Sequence, residues 1–180
     1  MKQHNIKLLR GVLLFAVVFI GQNMYSQSVS YGQHIGVFKK LKADLTTVGV
    51  MTSNLSDKGI EEIQRVALQL GVKVFFAKGA DGKDVPSLYK TLVNEKKVQF
   101  LWIPNADDRM LSVFEYLKEN AVPDKVGLCV PDQDLLTQGG LIFVTRENGK
   151  ITAYVNQKMA AFVGVTMPSE EGSSINFVSK

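Results

Sequence analysis

Three short polar segments hold the side chains most able to do chemistry. Each follows an apolar run and precedes a helical pattern. They are Thr52, Ser53 and Asn54, then Pro104, Asn105 and Asp107, then Pro131, Asp132 and Asp134. Hydroxyl, amide and carboxylate groups placed beside helix N-termini offer both donors and acceptors to a small polar ligand. Ser53, Asn54, Asn105 and Asp132 are the candidate ligand-binding residues. The same residue types also serve as helix caps (Asn105, Asp132) and turn formers (Ser53, Asn54), and their positions suit either role.

Catalytic arrangements are harder to assemble. No G-x-G-x-x-G follows the first apolar run, so the dinucleotide fingerprint is missing. The stretch Gly79 to Lys83 lacks the spacing and the Ser/Thr of a phosphate loop, and no G-x-S-x-G elbow occurs. Neither a cofactor nor a metal is expected. His34 is the one histidine after residue 26, and it precedes the first strand on a helical pattern, so it reads as a solvated or half-buried helix residue. Cys129 lies inside an apolar strand and reads as a small buried hydrophobe. Asp107 and Asp108 are adjacent, so on a helix they do not face one another, and the helix dipole explains acids in a first turn. A phosphoacceptor receiver would need an acidic cluster where this chain has Thr52, Ser53 and Asn54.

The elements that must position these residues follow from periodicity. Ile35, Phe38 and Leu41 mark an amphipathic helix over 32–43. Strands are expected at Thr47–Met51, Val72–Ala77, Val98–Ile103 and Val126–Val130. Between them lie three helical patterns. Ser56 caps the first, with Ile60, Ile63, Val66, Ala67 and Leu70 inward and Gly71 as its stop. After a turn over 79–82, Asp84 caps the second, with Val85, Leu88, Tyr89, Leu92 and Val93 inward. Asn105 caps the third, with Met110, Leu111, Phe114 and Leu117 inward. Nearly continuous apolar strands joined by helices imply a parallel sheet covered on both faces. The class is α/β, a doubly wound, mostly parallel sheet. Its ligands belong at the carboxyl ends of the strands, near the point where strand order reverses.

The pattern changes after Gly139-Gly140. Asn148-Gly149 between Leu141–Thr145 and Lys150–Val155 is a type I′ hairpin signal, so the sheet ends in an antiparallel hairpin. Asn156–Val163 is a short helix, and Ile175–Val178 can add an edge strand. Trp102 reads as sheet core. Tyr154 suits either an exposed contact surface or the edge of the core. A hairpin closing over the strand ends would favour a ligand, and an exposed apolar face would favour a partner.

Residues 1–26 read as a secretory signal. Lys2, Lys7 and Arg10 precede the nine apolar residues Val12–Ile20, and Gly21–Ser26 is polar with small residues. Nine residues are too few to span ~30 Å of hydrocarbon. Cleavage is expected between Ser26 and Gln27. Residues 27–180 then form a single periplasmic α/β domain. No cysteine stands near the signal, so a lipid anchor is not expected. Of the 21 basic residues three fall in the signal, which leaves 18 against 17 acidic ones. That near-neutral balance gives no reason to expect nucleic acid. A lone cysteine allows no intramolecular disulfide.

Two resemblances follow from these residues. Val48 to Asn54, Leu70-Gly71, Phe100 to Asn105, Val130-Pro131-Asp132 and Gln138 to Phe143 together resemble one lobe of the ABC-type periplasmic substrate-binding proteins of the uncharacterised transport class. The resemblance covers about residues 45–145. It implies a flavodoxin-like lobe of the periplasmic-binding-protein kind and a small-molecule ligand clamped between two lobes. The 180 residues hold one lobe, so a clamshell is not expected to close within them. The segment Gly139 to Val144, with Asn148 to Ile151, Val155-Asn156, Met159 to Ala161 and Gly164-Val165, is similar to the tail of YfiR-like periplasmic regulators. That likeness implies protein–protein action on an inner-membrane signalling protein. The cysteine pair of such regulators is missing. The expectation is therefore an exported, non-catalytic small-ligand-binding domain, with a YfiR-like regulator as the alternative and a homodimer left open.

Overall fold

A computed structural model describes residues 28–78, 83–105, 108–168 and 174–180, the side chains of 108 and 109 excepted. The signal segment 1–26, the turn over 79–82 and Asp107 lie outside the described residues. Helix α1 (Tyr31–Leu41) is followed by β1 (Thr47–Thr52), α2 (Asp57–Gln69), β2 (Lys73–Lys78) and α3 (Val85–Lys90), which runs on into a π-helical turn over Thr91–Glu95. Then come β3 (Phe100–Trp102), α4 (Asp108–Ala121), β4 (Gly127–Val130), α5 (Gln133–Gln138), β5 (Ile142–Glu147), β6 (Lys150–Val155), α6 (Gln157–Val163) and β7 (Ile175–Ser179).

The seven strands form one sheet in the order β2-β1-β3-β4-β5-β6-β7. Every neighbouring pair is parallel except β5 and β6. Asn148 and Gly149, at φ 50° and 78°, make the tight turn between them, a conformation that favours these two residue types. The hairpin is not the end of the sheet. Helix α6 carries the chain across to β7, which adds in parallel to β6 as the edge strand that Ile175–Val178 allowed.

Apolar residues alternate between the two faces of the strands, and each face is covered. Val48, Val50, Phe100, Trp102, Ile142 and Val144 meet α1, α2 and α6 on one side. Met51, Leu101, Ile103, Leu128 and Val130 meet α3, α4 and α5 on the other. Leu101, Val126 and Leu128 are buried as central strands require. Trp102 is sheet core, with 1% of its surface exposed.

Two details depart from the periodicity. Leu111, expected inward on α4, is 45% exposed, and Val113 takes the inward place beside Met110, Phe114 and Leu117. Asp84 occupies the cap position of α3 but makes no side-chain cap hydrogen bond, because its backbone is already helical at φ −87° and ψ −17°. Ser56 does cap α2, accepting from the Gly59 N–H at 3.2 Å.

The sheet has two features that shape a site. Strand order reverses between β1 and β3, because β2 lies outside β1 and β3 returns on its inner side. In addition, β4 ends at Val130, and it pairs with β5 only at Ile142 and Phe143. Residues Val144–Glu147 of β5 run past that end, paired with β6 alone. The carboxyl edge therefore has a notch above β4.

Candidate functional site

The notch opens into a groove of about 620 Å³. Its floor is Trp102, Pro104 and Asn105 from the end of β3, with Pro131 after β4. Phe143 to Arg146 of β5 form one wall. Ser28 to Tyr31 and His34, at the start of α1, form another, and Glu62 of α2 completes it.

Helix α1 is fastened in place at its first turn. Ser30 and Gln33 form a capping box: Ser30 Oγ accepts from the Gln33 N–H at 3.3 Å, and Gln33 Oε1 accepts from the Ser30 N–H at 3.0 Å. Gly32 lies so close to α2 that a Cβ there would stand 2.6 Å from Val66 Cγ2. Its N–H donates to Glu62 Oε1 at 3.0 Å, which joins the two helices at the groove wall. From the far side, Arg146 Nη2 donates to Gln33 Oε1 at 3.2 Å and Arg146 Nη1 to the Gly149 carbonyl at 3.0 Å. The hairpin is thereby tied to a helix more than a hundred residues earlier in the chain.

Aromatic rings line the inner end. His34 stacks on Trp102 with centroids 5.1 Å apart and an interplanar angle of 25°, and Tyr31 meets the same indole edge-on at 6.0 Å. His34 Nδ1 lies 2.9 Å from the Ser30 carbonyl. A carbonyl only accepts, so Nδ1 carries the proton and Nε2 is left as an acceptor. Burial against these rings lowers the imidazole pKa from its ordinary value, while the Ser30 carbonyl and the Glu62 carboxylate oppose that shift.

The four residues expected from sequence sit around this edge in different roles. Asn105 lines the groove, and its Nδ2 donates to Asn54 Oδ1 at 2.9 Å across the switch point between β1 and β3. The sequence placed Asn105 as the cap of the third helix, but helix α4 runs over Asp108–Ala121, beginning three residues further on, and the Asn105 amide group bonds Asn54 instead. Asp132 caps α5, its Oδ1 accepting from the Leu135 N–H at 2.8 Å. Ser53 is half-buried in the turn after β1. That turn is organised by buried Thr52, whose Oγ1 accepts from the N–H groups of Asn54 and Leu55 at 3.3 and 3.1 Å.

Tyr31, Glu62 and Arg146 were not among the expected residues, and His34 was read as an ordinary helix residue. One signal could have placed the first wall: Ser30-x-x-Gln33 is a capping-box pattern, and it starts the helix beside the groove. Among the described residues no group of three or more His, Cys, Asp or Glu is placed to hold a metal ion. Cys129 is buried in β4, and burial pushes its thiol pKa well up.

The chain matches no family model, and no curated protein matches it. Several solved structures share its fold. The ABC domain of Streptococcus pneumonia in complex with L-Trp is 18% identical with a TM-score of 0.67, over 83% of this chain and 62% of its own. A conserved domain protein from Vibrio cholerae is 15% identical with a TM-score of 0.66, over 83% and 60%. A substrate binding protein with adhesive properties from Clostridium difficile, in its ligand-free, open form, is 17% identical with a TM-score of 0.65, over 84% and 60%. These likenesses define the fold class, an α/β domain with a doubly wound, mostly parallel sheet. This chain spans about three fifths of the length of each.

Proposed function

We propose that the protein is an exported, non-catalytic domain that binds a small molecule at the carboxyl edge of its sheet. The observation that carries this reading is the groove of about 620 Å³ beside the switch point, where open α/β sheets take their ligands. Aromatic surface and a few fixed polar groups are the usual lining of such sites. The like-folded proteins named for L-Trp complexation and substrate binding support it at the level of fold. Asn105 contacts the ligand from the floor, Asn54 holds Asn105, and Ser53 and Asp132 flank the site. Native mass spectrometry of the protein purified from periplasm tests this directly. A co-purified small molecule is the expected result. With that molecule in hand, Asn105→Ala should weaken binding by more than its loss of stability explains, and unchanged affinity would move the site elsewhere.

A second reading has one observation in its favour. At the opposite edge of the sheet a depression of about 480 Å³ is lined by Val122, Pro123, Met159 and Phe162, with Lys118 and Lys158 beside them. Phe162 is 48% exposed. A YfiR-like regulator would use such a face against an inner-membrane protein or a second copy. The same spectra separate the readings: a ligand-free dimer that Phe162→Glu dissociates would favour the regulator, and a ligand-bearing monomer the binding domain.

A further inference from the structure

We infer that the amino-terminal edge of the sheet docks on an anionic phospholipid surface, held there by a band of lysines with Phe162 as its apolar anchor. This does not rest on the ligand reading, because it concerns the edge opposite the groove. After the signal segment the chain is nearly neutral, yet its charges are segregated. Lys40 lies in the last turn of α1, Lys73 opens β2, Lys97 precedes β3, Lys125 precedes β4, and Lys158 follows β6. Strand order and direction bring all five to one edge, spread over about 25 Å at the usual spacing of paired strands. All five are exposed, and no ion pair joins any of them to an acid among the described residues. The acids of this edge offset them only in part. Asp44 is paired with Lys42 and Glu115 with Lys118, Asp124 accepts from the Tyr89 hydroxyl, and Glu95 and Glu119 are exposed. Asp57, Asp132 and Asp134 lie at the other edge.

Local structure accounts for little of this band. The helix dipole favours Lys40 in the last turn of α1, but it disfavours Lys158 in the first turn of α6. Lys97 and Lys125 have φ of 54° and 56°, where asparagine or glycine would be less strained. Nothing in the fold calls for lysine at these three places. The chemistry of the band also points to its partner. A single phosphate is best held by convergent donors, above all the planar fork of an arginine. Flexible lysines strung along a broad edge suit a surface of many headgroups instead. Phe162 is 48% exposed beside Lys158, in the depression it shares with Met159 and Val122, and supplies the apolar contact that surface binding adds to charge. Docked this way, the molecule turns its carboxyl-edge groove away from the lipid.

Vesicle sedimentation of residues 27–180 tests this, with phosphatidylcholine vesicles prepared with and without phosphatidylglycerol. At about 0.1 M salt the protein should pellet with the anionic vesicles and not with the neutral ones. At about 1 M salt, where the screening length falls to about 3 Å, it should be released. Lys97→Asn combined with Lys125→Asn should weaken the partition roughly tenfold or more. Asparagine suits that backbone, so the fold is kept, and Lys97→Arg with Lys125→Arg should restore binding. Lys58→Asn with Lys150→Asn removes the same charge from the exposed carboxyl edge and should leave the partition within about twofold of the wild type. Phe162→Ser should weaken it severalfold. Equal sedimentation with both kinds of vesicle, no sedimentation at all, or equal loss from the two lysine pairs would overturn the proposal. Release from the vesicles by duplex DNA at equal phosphate concentration would assign the band to nucleic acid instead. A dimer in solution that the Lys97 and Lys125 substitutions dissociate would assign it to a second copy. Each of these results leaves the groove reading as it stands.

Discussion

His34 shows what a residue contributes that its type does not announce. On sequence it is a lone histidine on a helix, and lone histidines seldom do chemistry. In the fold its ring is pressed on Trp102 and its pKa falls below the ordinary 6.5 because burial disfavours the imidazolium. A lowered folded value means that the unfolded chain binds the proton more readily. This contribution to stability is intact above 6.5 and is lost as pH falls from there toward the folded value, at up to about 1.4 kcal/mol per pH unit for one proton. Urea unfolding at pH 7.5 and 5.5 should show the wild type losing more stability on acidification than His34→Phe. Equal losses would mean that His34 titrates alike in both states. Contacts such as His34 with Trp102 and Gln33 with Arg146 escaped the sequence because they join residues about seventy and more than a hundred positions apart. Periodicity carries no information at that range. The closeness of Asn54 and Asn105 was legible because strand ends in a parallel sheet must share one edge.

The elements were far more legible, and for a definite reason. Strands buried on both faces need unbroken apolar runs, and their helices need a spacing near 3.6, so both signals are strong. The misses fall where neighbouring faces compete. Val113 displaced Leu111 because the inward stripe of α4 is set by what α3 and the sheet present. The π-helical turn at Thr91–Glu95 adds a residue within one turn, which no apolar pattern reveals. Strand β3 offers a quantitative check. Leu101 is fully buried between β1 and β4, pairing with Gly49 and Leu128. Leu101→Ala should cost roughly 2–5 kcal/mol in chemical denaturation, the usual range for opening a cavity in a packed core. A loss below ~1 kcal/mol would mean that the core there collapses around the gap.

At the scale of the molecule, the groove depends on where the chain begins to fold. Helix α1 buries Ile35, Val37, Phe38 and Leu41 in the same cluster as β3, β5 and β6, so it is part of the core and not an appendage. The segment just before it, Ser28 to Ser30, caps that helix and forms a groove wall. If a signal peptidase cuts after Ser26, the mature chain keeps every one of these residues. A chain starting at Gln27 should therefore unfold in a single transition with the same midpoint whether it is exported or made without residues 1–26. Starting at Tyr31 removes the Ser30 cap, which should cost about 1 kcal/mol, and should also weaken any ligand held in the groove. Starting at Asp44 uncovers Trp102, Phe38's partner in the core, and should shift tryptophan emission to the red with loss of cooperative unfolding. Intact mass of periplasmic material fixes which of these chains exists in the cell. A mass that includes residues 1–26, found with the membranes, would overturn the cleaved-signal reading while leaving the fold and the groove as they stand.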